Sequence, residues 1–321
     1  MFACVQPLPS PTGVVDLRVL AASFETPEVL IAPCDPRLLV SLAGGGNTNQ
    51  LDPASLQQLL VFGQRPLTYK ALVVDPEGNG RELSYRLRAC VNQGDRECKN
   101  TNDFVELTSG RQPAGEWTFP LDGTSRSRPL LGTQLLPDGE PLLLEAIRQD
   151  SSRGLGGIRL PVMLEVRAPD TEEQIFAQKL MLVTCQFFPT MRENATPVLP
   201  GIKLRGKPWP EDEIAALNGF NDVLMEPMDF QDREEDYVVP SLQLTPVNLK
   251  ESWKIAWYTT VGTMSAFETG GTNFDGNTDR HRSRWQPDRN VTEPRDVTFF
   301  FVVRDGRGGQ SWLTRRARWT P

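Results

Sequence analysis

Apolar residues recur at every second position over short runs of this chain, and that period is the one a β-strand imposes. Tyr69, Ala71 and Val73 alternate up to a turn-rich stretch from Asp75 to Gly80, after which Leu83, Tyr85, Leu87 and Ala89 alternate again. Val297, Phe299, Phe301 and Val303 repeat the pattern and run into Asp305 to Gly309. Successive side chains of a strand point to opposite faces, so each run predicts a strand with one face in a core. The 27 prolines and 26 glycines are spread along the chain and break it between such runs. Together these features predict an all-β fold of the sandwich type and disfavour a helical one.

A chain of 321 residues exceeds the usual size of one domain, so two are expected, each with its own core. The first spans 14–188. It opens on an edge strand over Asp16–Phe24, contains the strand, turn, strand unit just described, and continues with strands at Leu142–Ile147, Leu160–Arg167 and Ile175–Val183. Asp52 as N-cap and Pro53 at the first helical position predict a short helix over Ala54–Phe62, inside an insertion near 40–65. Residues 189–200 read as a linker. The second domain spans 201–321 and starts with Ile202 and Leu204. Acids behind Trp209 and Pro210, with Gly219 beyond, predict a helix over Glu211–Leu217 in an insertion near 205–235. Strands resume at Leu242 and Leu244, at Trp253, Ile255 and Trp257, at Val297–Val303 and from Trp312 onward. The glycines at 154, 156 and 157 and those at 306, 308 and 309 echo one another, each set expected to turn a hairpin between the last two strands of its sandwich.

The formal net charge of -7 argues against general attraction to nucleic acid or anionic lipid. No run of about 18 apolar residues is present, so no helical membrane span is expected. Five cysteines leave one unpaired in an oxidising compartment. Cys90 and Cys98 flank seven residues rich in turn formers and are expected to bridge, and Cys34 with Cys185 is the other candidate pair. The remaining Cys4 follows Met1, Phe2 and Ala3 and precedes a Pro/Ser-rich segment. It resembles the lipid-bearing cysteine of bacterial lipoproteins, which would make 1–13 an anchor and tether, with Val5 favouring the outer membrane. A free or disulfide-bonded thiol near the chain end is the plain alternative.

No recognisable catalytic set is present. His281 is the one histidine and lies among arginines, and the nucleophile elbow and zinc-protease motifs are missing, so the chain is read as not an enzyme. Asn273, Asp275, Asn277 and Asp279 place an oxygen-bearing side chain at every second residue. Such a run can wrap calcium or form a plain Asx-turn loop, and no other cofactor is indicated. Arg280, Arg284, Trp285 and Trp312 are candidates for a glycan or protein contact, since indole faces stack on sugars and guanidinium groups. Equally, the tryptophans can be core.

Leu17 to Ala21, Ala71 to Gly78, Leu83 to Cys90, Arg153 to Gly157, Ala256 to Tyr258 and Val302 to Gly309 together resemble lipoproteins of myxobacteria and their relatives that carry immunoglobulin-like, PKD-like or cadherin-like domains. The resemblance implies two tandem immunoglobulin-like β-sandwich domains with short helical insertions, on an exported outer-membrane lipoprotein facing the periplasm or the cell surface. It brings no catalytic residues. The expectation is a non-catalytic spacer and display module held to a membrane through its lipid. A calcium- or carbohydrate-dependent adhesin is the alternative, in keeping with the cadherin-like members.

Overall fold

The computed structural model describes residues 10–31, 64–91, 98, 102–149, 157–241, 243–271 and 281–321. They are nearly all β. The first half contributes β1 (Arg18–Phe24), β2 (Glu28–Ile31), β3 (Leu67–Val74), β4 (Glu82–Cys90), β5 (Phe104–Pro113), β6 (Gly115–Leu121), β7 (Ile158–Arg167) and β8 (Gln174–Cys185), with helix α1 (Leu142–Gln149) between β6 and β7. The second contributes β9 (Ile202–Leu204), β10 (Lys207–Trp209), β11 (Ile214–Asn218), β12 (Val223–Pro227), β13 (Asp236–Pro240), β14 (Pro246–Lys250), β15 (Lys254–Thr259), β16 (Thr263–Met264), β17 (Glu268–Gly270), β18 (Ser283–Gln286), β19 (Arg295–Arg304) and β20 (Gln310–Thr320).

Both halves are wired alike. In the first, one sheet runs β2-β8-β7-β4-β5 and the facing one β1-β3-β6; in the second, one runs β11-β20-β19-β15-β17 and the other β10-β9-β12-β18-β16. In each half a short strand lies parallel to that half's last long strand. Glu28 to Ile31 pair with Leu182 to Cys185, and Ile214 to Asn218 pair with Arg316 to Thr320. Each pair of sheets closes on its own core, the first around Phe24, Tyr69, Leu83 and Leu87, the second around Trp257, Trp285, Phe299 and Trp319.

Several strands bury both faces. In β19, Val297, Phe299, Phe301 and Val303 fill the second core, while Phe300 and Val302 turn outward onto Leu20, Leu72 and Val74 of the first half. Ala256 of β15 joins this third cluster, and Trp312 packs at its margin. The outer face of β1 and β3 therefore lies on the outer face of β20-β19-β15, giving four stacked sheet layers. Each fully buried Val, Leu or Phe here stabilises the joint by roughly 1.5–3 kcal/mol.

Several sequence expectations are corrected. Leu142–Gln149 is a helix: Leu142, Leu143 and Ala146 enter the first core while Arg148 and Gln149 face solvent, a helical stripe. Residues 211–217 are not helical. Ile214–Asn218 is a strand whose buried Ala215 and Leu217 alternate with exposed neighbours. The strands around it belong to the sandwich, so the insertion lies later, in the β13–β14 ribbon, whose two strands pair only with each other. The expected strand, turn, strand unit is present as β3, the turn from Asp75 to Arg81 and β4, and because β3 and β4 sit in different sheets this turn crosses between them. Gly78 is required in it, because a Cβ there would stand 1.9 Å from the Asp75 carboxylate that grips Arg81. Gly154 and Gly156 lie outside the described residues, and Gly157 directly precedes the strand after helix α1 while residues 168–173 join the last two strands of that half; in the second half Asp305–Gly309 does turn β19 into β20. The expected helix at 54–62 lies outside the described residues, as does Leu242.

The ends of the predicted boundaries are also tied down. Thr12 and Val14 are buried, and Val14 and Thr259 exchange backbone hydrogen bonds with this segment, the Thr259 amide donating to the Thr12 carbonyl at 3.0 Å and Val14 to Thr259 at 2.8 Å. Residues 10–13 are thus stitched to the second half rather than strung out as tether. Residues 189–200 have no regular structure, yet Met191, Asn194 and Leu199 are buried.

Candidate functional site

The structure separates the residues that the sequence grouped. Asn273, Asp275, Asn277, Asp279 and Arg280 lie outside the described residues, as do Cys4 and Cys34. No group of three or more potential metal ligands occurs among the described residues. Cys90 and Cys98 are bridged, with Cα atoms 5.9 Å apart, and Cys185 is disulfide-bonded. Trp285 is fully buried; its ring meets Phe299 and Trp319 edge-on and its Nε1 donates to the Val261 carbonyl at 2.8 Å. No face of it is offered to a ligand, so its candidacy as a binding residue is withdrawn. Arg284 is exposed beside it on β18.

Trp312 is the candidate that reaches an opening. It stands opposite Val302 in the β19–β20 ladder, at the margin of the joint. Beside it is a cleft of about 360 Å³ walled by both halves, within the size range of small-ligand sites. Glu25, Lys70 and Glu116 line it from the first half, Val198 from the connecting segment and Gln310 from β20. The cause is legible in β3. Its outward positions are Thr68, Lys70, Leu72 and Val74: the apolar pair enters the joint and Lys70 is left at the opening.

The cleft's edges are fixed by polar contacts. Lys70 pairs with Glu25 at 2.5 Å, and the hydrogen bond and charge of Lys70 hold the Glu25 carboxyl below its ordinary pKa. Thr196 Oγ1 donates to the Glu25 carbonyl at 2.9 Å, the Gln310 amide donates to Ser23 Oγ at 3.2 Å, and the Ser311 hydroxyl donates to the Pro197 carbonyl. An indole beside a fixed ammonium and two carboxylates can stack on a sugar ring and bond its hydroxyls.

The relative placement of the two walls depends on the turn from Asp305 to Gly309. Asp305 is buried; its carboxylate accepts from Asn194 Nδ2 at 2.8 Å and from the amides of Arg307 and Gly309. Burial raises its pKa, as it does that of Glu251. Lys179 of β8 donates to the Gly308 carbonyl, and burial pushes its pKa down to about 8. Arg307 bonds Glu28, Glu235 and Glu251 and lies over the Tyr237 ring at 4.3 Å. The sequence exposed the turn but not its partners, which are distant in the chain.

No protein-family model matches the chain, and no curated protein matches it. Among solved structures it is similar to zebrafish RET cadherin-like domains 1 to 4, at 11% identity over 51% of this chain and 33% of that one, with a TM-score of 0.15. Dimeric latent PorU from Porphyromonas gingivalis aligns at 8% identity over 95% of this chain and 34% of that one, with a TM-score of 0.19. The chain spans about a third of the length of these structures, and at such scores neither likeness carries an argument about function.

Proposed function

We propose that the chain is a non-catalytic interaction module of the cell envelope, built of two tandem immunoglobulin-like sandwiches and holding its ligand in the Trp312 cleft. The repeated wiring supports the tandem reading, since two facing antiparallel-rich sheets of this strand order are the immunoglobulin-like plan. The observation that carries the binding reading is a single one: Trp312 lines an opening that needs both halves to exist. The stacked layers favour rigid presentation of a composite site over the extended spacer suggested by sequence. Lipid attachment at Cys4 and outer-membrane display complete the proposal and rest on the sequence alone, as does the calcium reading of 273–279.

Two experiments test it. A glycan array probed with the whole chain should return saccharides whose binding falls at least tenfold in Trp312→Ala with the melting curve preserved; no saccharide bound, or binding indifferent to Trp312, overturns the site. Labelled palmitate should enter the native chain in a bacterial host and not Cys4→Ser; equal labelling overturns the anchor.

A further inference from the structure

A second and larger cleft opens elsewhere along the joint, about 790 Å³ in volume, between Val15 and Glu77 of the first half and the turns at 260–263 and 286–295 of the second. We infer that it binds a short acidic saccharide, with Arg289 and Arg295 taking the carboxylate or sulfate groups. Both arginines are exposed and line the cleft. Among the described residues neither is paired with a carboxylate. The lysines at two other openings differ: Lys70 is held by Glu25 beside Trp312, and Lys203 by Asp229 in an opening near His281. A planar guanidinium left without a partner at a cavity wall suits bidentate recognition of an oxyanion.

The wall facing them is rigid. The Val261 carbonyl accepts from both Trp285 Nε1 and Thr259 Oγ1, each at 2.8 Å. Gly262 has φ +73, and a Cβ there would stand 2.4 Å from the Gln286 carbonyl, so turn and strand end touch backbone to backbone. Thr263 and Gln286 supply neutral groups for sugar hydroxyls. Asp288 Oδ1 accepts from the Asn290 amide at 2.9 Å, and Glu77 and the other Asp288 oxygen can accept from the ligand's hydroxyls. The chain's net charge of -7 repels long polyanions, so a short oligosaccharide with few charges fits better.

The test is calorimetric titration of the whole chain with tetragalacturonate, with a chondroitin sulfate tetrasaccharide and with neutral maltotetraose. Binding of one acidic sugar is expected, weakening as salt is raised, and which one binds separates carboxylate from sulfate. Arg289→Gln and Arg295→Gln should each weaken it about tenfold, the loss of a charge-assisted bond. Arg284→Gln should leave it unchanged, and the titrations are repeated in Trp312→Ala, where any binding in the other cleft is removed and that of the acidic sugar here should remain. Melting curves confirm that the variants fold. In the Trp312→Ala chain, binding of neither acidic sugar, equal binding of maltotetraose, or indifference to both cleft arginines overturns the inference.

Discussion

Arg307, in the turn between the last two strands, donates to Glu28 on a first-half edge strand at 2.8 Å across 279 residues of sequence. The same guanidinium reaches Glu251 at 3.2 Å and Glu235 at 3.3 Å. Glu28 and Glu251 are both buried, so the arginine neutralises carboxylates that water does not reach. It therefore acts as the electrostatic pin of the joint that forms both clefts.

Removing the pin leaves the buried Glu28 and Glu251 without their counter-charge. Arg307→Ala is expected to destabilise by about 3 kcal/mol, read as a lower urea midpoint, because an uncompensated buried charge is costly. Arg307→Lys should restore only part, since an ammonium cannot bridge three carboxylates and cover the Tyr237 ring together. An unchanged midpoint in Arg307→Ala would show that the apolar joint alone sets the stability.

Much of this architecture can be read from runs of residues, and the misses have physical causes. Strict alternation located β3, β4 and β19. The continuous apolar stretches Ala71 to Val74 and Phe299 to Val303 bury both faces, a cue to sheet stacked on sheet that the expectation of two domains joined by a linker left unused. Leu142 to Ile147 misleads because three leucines in a row suit a strand as well as a helix; Glu145 and Arg148, placed three apart and paired at 3.0 Å, were the helical cue. At 211–217 the acids imitate a helix start, although the buried positions 215 and 217 have a period of two. Trp285 and Trp312 look equivalent in sequence. Which one is core depends on the strand face each occupies, and that is set by register.

Lys179 gives the joint an alkaline signature. Burial pushes its pKa down to about 8, below the ordinary 10.5. Between these values the unfolded chain binds the proton and the folded chain does not, so stability rises with pH across that window. Urea midpoints from pH 8 to 10.5 should rise more steeply in the native chain than in Lys179→Met. Comparing the two removes the contribution of buried Tyr69, whose hydroxyl burial shifts upward. Parallel curves would mean that Lys179 reaches solvent.

His281 should mark the acid side. Its ring packs edge-on against Phe230 at 4.8 Å, its Nδ1 has no hydrogen-bond partner among the described residues, and burial holds its pKa below the ordinary 6.5. The neutral ring is favoured in the fold, so its stabilising contribution is complete above 6.5 and is lost as pH falls through the folded value. His281→Phe should be less sensitive to acid than the native chain between pH 6.5 and 5. Asp305 and Glu251, raised by burial, act with the opposite sign and are common to both proteins. Identical acid limbs would place the imidazole in water.

The Cys90–Cys98 bridge should contribute mainly by restricting the unfolded chain. A sequence separation of 8 closes a short loop, for which chain entropy predicts about 2.5 kcal/mol. Both sulfurs lie in a small cluster with Met163, against which Phe104 and Phe176 pack, and Arg88 lies over the Phe104 ring at 4.9 Å. That packing persists when the bond is replaced by apolar groups, so Cys90→Ala with Cys98→Ala should lower the urea stability by about this amount and still fold. A reductant is the poorer probe, because Cys185 is also disulfide-bonded and would open with it. Loss of folding in the double variant would show that the bridge holds the end of β4 in place, and not only that it limits the unfolded chain.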